Sequence, residues 1–214
     1  MAGRFGWLRP LRVDDDAGPL FALMEGAPWL FDYLGEEPPA DAAALAALLA
    51  VWAARADCEI FAIGPVGLTA PQGYACLMSV NQAAGDIEIG NVNLTPAMQR
   101  TPLATEAFAL MLRWAFGAGY RRVVWKCNAL NAPSRRAAQR LGFSYEGLFR
   151  NHLIVKGRNR DTAWFAMTDA DWQSIGPAFD RWLEPVNFDA AGHQREPLGP
   201  LTAPYLAARD PMLG

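Results

Sequence analysis

The chain has 214 residues, 52% hydrophobic and 19% charged, enough apolar material for one substantial core. Its 19 basic against 22 acidic side chains give a formal charge of -3, and no basic run is long enough to neutralise a line of phosphates, which argues against nucleic acid as a partner. No stretch approaches the roughly 20 apolar residues that a spanning helix needs, and Met1–Arg12 lacks the apolar core of a signal peptide, so neither membrane insertion nor export is expected. In chain order, Trp7–Val13 reads as a strand, and Asp14, Asp15 and Asp16 offer caps for a helix in which Pro19 is tolerable only in the first turn. The aromatic, Pro-bounded Pro28–Pro39 region precedes an Ala- and Leu-rich helix over Asp41–Arg55. Three strands follow, Glu59–Ile63, Gly73–Asn81 and Asp86–Leu94, separated by Gly- and Pro-rich turns as in an antiparallel meander.

The period then changes. Thr105–Ala118 sets Phe108, Leu112, Ala115 and Phe116 on one helical face, Arg121–Cys127 is a strand, and Pro133–Leu141 is a helix stopped by Gly142. Phe143–Val155 and Thr162–Met167 pair as a hairpin around Lys156–Asp161. Trp172, Ile175, Phe179 and Trp182 share the face of a last helix that Gly176-Pro177 should break or kink. Residues 1–184 read as a single domain and residues 185–214 as an extended, proline-rich tail, packed or loose. The order supports a mixed α/β fold: a mostly antiparallel twisted sheet with helices on both faces.

Cys58, Cys76 and Cys127 are odd in number and embedded in apolar runs, which suits buried thiols in a reducing cytoplasm. His152 and His193 are isolated and no Cys/His spacing matches a ligand set, so no metal is expected. The chemistry concentrates between Asp86 and Thr105, where a strand passes through Pro96-Ala97-Met98 and Gln99-Arg100-Thr101-Pro102-Leu103-Ala104 into a helix. Such a turn offers unpaired backbone N–H groups at the positive end of the helix dipole, where a pyrophosphate fits. Arg100 adds a charge and Thr101 or Thr105 a hydroxyl donor. Taken alone, the segment reads equally as an ordinary strand-to-helix connection with a proline near its start.

Gln99-x-x-Pro102-x-Ala104 resembles the Gln/Arg-x-x-Gly-x-Gly/Ala signature with which GNAT acetyltransferases wrap the pyrophosphate of coenzyme A. Asn131-Ala132-Pro133-Ser134, then Leu141-Gly142-Phe143 and Glu146-Gly147, resembles a second block of that superfamily, and Asn159-Arg160-Asp161-Thr162 is similar to its ribosomal-protein N-terminal alanine acetyltransferase branch. The resemblance covers Trp7 to Trp172 and implies acetyl-coenzyme A as cosubstrate, a primary amine as acceptor (a small molecule or a protein N-terminus), and a sheet splayed after the strand that precedes the motif. It implies that the backbone of Asn93 and Leu94 polarises the thioester. Gln99 belongs to the pyrophosphate motif, and Pro102, in place of its first glycine, leaves the phosphates to the amides of Arg100, Thr101, Leu103, Ala104 and Thr105. Asn131 would contact the pantetheine arm. Ser134 matches the residue proposed to protonate the departing thiolate, with Tyr145 in reserve, and reads equally as a helix-start residue bonding backbone.

Glu88 occupies the place of a base, or is a plain strand carboxylate. His152 and Asp161 lie toward the acceptor side in the family fold, and each has a structural alternative as a lone histidine or a turn residue. Trp29-Leu30-Phe31-Asp32-Tyr33 is either acceptor wall or core. Cys127 has no sign of thiolate activation and is set aside as a covalent carrier. The competing function is a coenzyme A-binding sensor that has lost its chemistry. Either would be a monomer or a homodimer.

Overall fold

The computed structural model describes residues 1–213, which form a mixed α/β fold with seven strands and six α-helices among them. The chain divides into two compact units, Met1–Ala83 with Ile87–Met111, and Ala84–Asp86 with Leu112–Gly214.

In the first unit β1 (Gly6–Pro10), β2 (Cys58–Pro65), β3 (Gly73–Asn81) and β4 (Asp86–Leu94) stand in chain order, and β1, β2 and β3 pair antiparallel. The helices α1 (Val13–Met24) and α2 (Ala42–Ala53) contribute Ala17, Leu20, Met24, Leu45 and Leu49 to a core with Phe31, Ile60, Tyr74, Cys76 and Met78. Each large side chain fully buried there contributes about 1.5–3 kcal/mol by transfer from water. Asp41 caps α2 by accepting the Ala44 N–H at 2.7 Å, as its position before the Ala-rich run requires.

The start of α1 departs from the sequence reading. The strand stops at Pro10, and Asp14, Asp15 and Asp16 occupy the first turn while Arg12 stands at the cap. Asp16, 1% exposed, takes a two-pronged contact from Arg9 at 2.7 and 2.6 Å and the Arg12 N–H at 2.8 Å, which turns the chain into the helix early. Pro19 therefore sits inside the helix. It removes the N–H that would bond the Asp15 carbonyl, a group on an exposed residue that water can satisfy.

In the second unit the strand order is β5 (Arg122–Asn128), β7 (Arg158–Thr168), β6 (Ser144–Val155), all antiparallel. The hairpin turn is tighter than the sequence suggested. Lys156 and Gly157 both have positive φ, 51° and 70°, the demand of a two-residue type I′ turn, so β7 starts at Arg158 and Asp161 lies within the strand. α4 (Ala132–Arg140) follows β5, and α5 (Asp169–Leu183) runs unbroken through Gly176-Pro177. Pro177 is on the exposed face, and a capping box between Thr168 and Asp171 secures the helix start. At Gly176 an added Cβ would come within 3.2 Å of the Trp172 ring, so the glycine permits that packing. The segment after Glu184 is ordered onto this unit and includes the short α6 (Leu198–Thr202); Leu198 is buried, and Thr202 Oγ1 donates to the Arg140 carbonyl at 3.0 Å. α3 (Pro102–Gly117), three residues longer at its start than Thr105 suggests, runs through the point where the units divide.

Candidate active site

In the first unit, the turn after β4 is built largely by its own hydrogen bonds. Thr95 Oγ1 donates to the Gln72 carbonyl at 2.6 Å, Gln99 Nε2 donates to the Leu94 carbonyl at 2.9 Å, and Met98 is fully buried beneath. Thr101 Oγ1 donates to the Met98 carbonyl at 2.7 Å and accepts the Ala104 N–H at 3.3 Å, which makes it the cap of α3 with Pro102 at the first helical position. Pro102 therefore costs the turn little, because the first-turn N–H groups have no acceptor within the helix in any case.

Of the amides assigned to the phosphates, that of Thr101 donates to the Met98 carbonyl over a long 3.4 Å and that of Ala104 to the capping hydroxyl. Leu103 is in the first turn of α3. Arg100 holds a left-handed φ of 61° with its side chain exposed, and Thr105 is buried at 4%. The side chain of Gln99 closes the turn onto Leu94.

On β4, Glu88 is 6% exposed and Asn93 2% exposed. Asn91 between them adopts a left-handed φ of 43°, which interrupts the simple alternation of strand faces. Both polar atoms of the Asn93 side chain and the buried Tyr74 hydroxyl make no bond of good geometry with any other group, and the two side chains lie close enough to interact with each other. Burial pushes the Tyr74 phenol up from its ordinary value, so it stays protonated as a donor.

In the second unit, Asn131 caps α4, its Oδ1 accepting the Ser134 N–H at 3.0 Å. Ser134 Oγ accepts the Trp125 indole N–H, also at 3.0 Å. The hydroxyl keeps one proton to donate beside the lone pairs through which it accepts, and the neighbouring Cys127 sulfur is a partner for it. Cys127 lies beside Ser134; burial raises its thiol above the ordinary range and a bond with Ser134 offsets this only in part, which leaves it a poor nucleophile. Trp125 is the contact that sequence reasoning missed, because a tryptophan in an apolar strand reads as core.

His152 is exposed on β6, its Nδ1 3.0 Å from Thr162 Oγ1 and its ring edge-on to Phe149 at 5.5 Å. Asp161 accepts the Asn151 N–H at 2.7 Å and Asn159 Nδ2 at 3.1 Å, stitching the irregular stretch of β6 between Phe149 and Leu153. These two residues share one hairpin, and Asp161 lies within β7 and not in the turn. Tyr145 is half-buried, its ring edge-on to Phe165. All three cysteines are free. Among the described residues no group of three or more His, Cys, Asp or Glu side chains could hold a metal ion, and no helix is long and apolar enough to cross a membrane.

Residues 7–144 match the family model of the acetyltransferase (GNAT) domain. The chain is 41% identical to a GCN5-related N-acetyltransferase from Brucella melitensis, with a TM-score of 0.90 over 94% of this chain and 92% of that one. It is 39% identical to a probable GNAT-family acetyltransferase from Chromobacterium violaceum, with a TM-score of 0.78 over 80% of this chain and 86% of that one. Mycobacterium smegmatis RimJ, solved with CoA-disulfide, shares the fold at 23% identity and a TM-score of 0.67, over 79% of this chain and 85% of that one. No curated protein matches the chain.

Proposed function

We propose that this chain, which belongs to the GNAT acetyltransferase family, moves an acetyl group from acetyl-coenzyme A to a primary amine by direct attack in a ternary complex. The observation that carries the chemistry is the Trp125–Ser134 bond, which holds the Ser134 oxygen in place so that its proton can pass to the departing sulfur. The acceptor nitrogen forms its bond to the acetyl carbonyl carbon as the C–S bond breaks; Ser134 protonates the departing sulfur, and Glu88 takes the proton from the nitrogen, directly or through water. The backbone N–H groups around Asn93 and Leu94 polarise the carbonyl oxygen.

The family's use of a coenzyme A thioester supports the other assignments. The Arg100 and Leu103 amides and the Arg100 guanidinium receive the pyrophosphate, with the Thr101, Ala104 and Thr105 amides as weaker neighbours, and Gln99 shapes the loop that presents them. Asn131 keeps its amide nitrogen for the pantetheine arm while its oxygen caps α4. His152 and Asp161 serve the acceptor, a small amine or a protein N-terminus. Three free thiols fit a cytoplasmic setting.

The test is release of free thiol from acetyl-coenzyme A across a panel of amines and short peptides. With an accepted amine, Ser134→Ala is expected to lower kcat about 100-fold and Glu88→Gln by a similar factor. Trp125→Phe should lower it about fivefold, the worth of roughly one neutral hydrogen bond. Unchanged turnover in Ser134→Ala and Glu88→Gln removes the catalytic assignments, and absence of thiol release with every amine supports a coenzyme-binding sensor.

A further inference from the structure

We propose that Asp210 is a positioning residue for Ser134, acting through Arg135 to fix the start of α4. Arg135 follows Ser134 in the chain, and its side chain is 4% exposed against 0% for Asp210. The guanidinium grips the Asp210 carboxylate through Nε at 2.6 Å and Nη2 at 2.5 Å, and its Nη1 donates to the Ala129 carbonyl at 2.7 Å. Ala129 lies in the loop that leads to Asn131, the cap of α4, so one guanidinium ties the loop before the helix to the helix's first turn. Asp210 holds the plane of that guanidinium, because a two-pronged contact sets direction as well as distance.

Asp210 is itself held. Its N–H donates to Gln139 Oε1 at 2.8 Å and its carboxylate accepts the Met212 N–H at 3.0 Å. Alongside, the Ala207 N–H donates to Ser144 Oγ at 2.9 Å and the Tyr145 N–H to the Ala208 carbonyl at 3.1 Å. A buried ion pair is a poor adhesive, since well-packed apolar side chains of like volume hold a segment as firmly or better. What the charges supply here is geometry at the start of α4. The pair also lies close enough to the Cys127 thiol, Ser134's neighbour, to act on it electrostatically. Asp210 falls outside the 7–144 span of the family model, so this chain holds the start of α4 with a segment beyond that span.

The kinetic consequence rests on the acetyl-transfer reading of Ser134; the placement of Ser134 does not. The experiment uses the full-length chain and Asp210→Asn, with Gln139→Met as a milder variant that removes only the tether on the Asp210 amide. At a temperature where each variant is folded, kcat for an accepted amine is expected to fall between about tenfold and 100-fold in Asp210→Asn, with KM for the amine unchanged, and by less in Gln139→Met. The side-chain N–H resonance of Trp125 in isotope-labelled protein, assigned by its loss in Trp125→Phe, is expected to move in both. A loss of thermal stability with that resonance and kcat unmoved would overturn the inference and leave the contact purely structural. If the unaltered chain acetylates nothing, the acetyl-transfer reading falls and the resonance alone decides the placement.

Discussion

Arg135→Met is expected to lower stability by about 3–5 kcal/mol at neutral pH, because it leaves the Asp210 carboxylate buried without its counter-charge. Methionine fills much of the volume but donates nothing to Asp210 or to the Ala129 carbonyl. Acid should shrink this deficit. Burial pushes the Asp210 carboxyl upward, and the Arg135 fork with the Met212 N–H outweighs it, so in the folded chain the group lies below its ordinary value. Its contribution is therefore present above about pH 4, the unfolded carboxylate range, and is lost as pH falls through the lower folded value. In Arg135→Met the same carboxyl has burial without the fork, binds a proton more readily, and gains stability as pH falls. Urea midpoints at pH 7 and pH 4 check this, and a deficit equal at both would show that the pair carries no net charge effect. The double replacement Arg135→Met with Asp210→Leu should recover most of the stability, since it removes the orphaned charge, and should leave kcat depressed.

That ion pair also marks what sequence alone does not convey. β3 and β4 were legible to the residue, because the Gly- and Pro-rich turns on either side bound each strand from local information. α2 was legible within a few residues from propensity alone and α4 from its Pro-initiated start. The misreadings share a cause, a partner distant in sequence or in conformation. Arg9 and Asp16 together start α1, and neither residue announces the other. Lys156-Gly157 makes a complete turn by itself, while Asn159-Arg160-Asp161 looks more turn-like and is strand. Pro177 would break a helix whose Gln173 carbonyl was buried, and here it faces outward. The tail's prolines left open whether it is packed or loose, and Thr202 and Asp210 are buried with bonds to Arg140 and Arg135, residues far earlier in the chain. At the site, motif spacing pointed to Asn131 and Ser134, and only the fold shows that Trp125 Nε1 engages the serine oxygen and that Gln99 turns back on its own loop.

Glu106→Gln is expected to cost about 3 kcal/mol, for a reason equally invisible to pattern reading. Glu106 is 4% exposed on α3, and its carboxylate accepts three backbone N–H groups of the N-terminal segment: Arg4 at 2.7 Å on one oxygen, Phe5 at 2.7 Å and Gly6 at 3.0 Å on the other. A hydrogen bond to a charged group contributes about 1.5–3 kcal/mol, and a buried donor left unpaired costs about 1–3 kcal/mol. Glutamine keeps one accepting oxygen, turns an N–H against the remaining donor, and loses the charge from every bond. Gly3 leaves the room this arrangement needs, since an added Cβ there would come within 2.3 Å of the carboxylate. Gly3→Ala should therefore destabilise in the same direction, and the two changes together should cost less than their sum because they disrupt one contact. Urea unfolding of the two single variants and the double checks this, with the slope unchanged if the denatured state is unaffected. Glu106 directly follows Thr105, the last residue of the turn assigned to the pyrophosphate, so coenzyme A affinity is expected to fall in Glu106→Gln while the protein remains folded. Affinity equal to that of the unaltered chain would confine the role of Glu106 to holding the N-terminal segment.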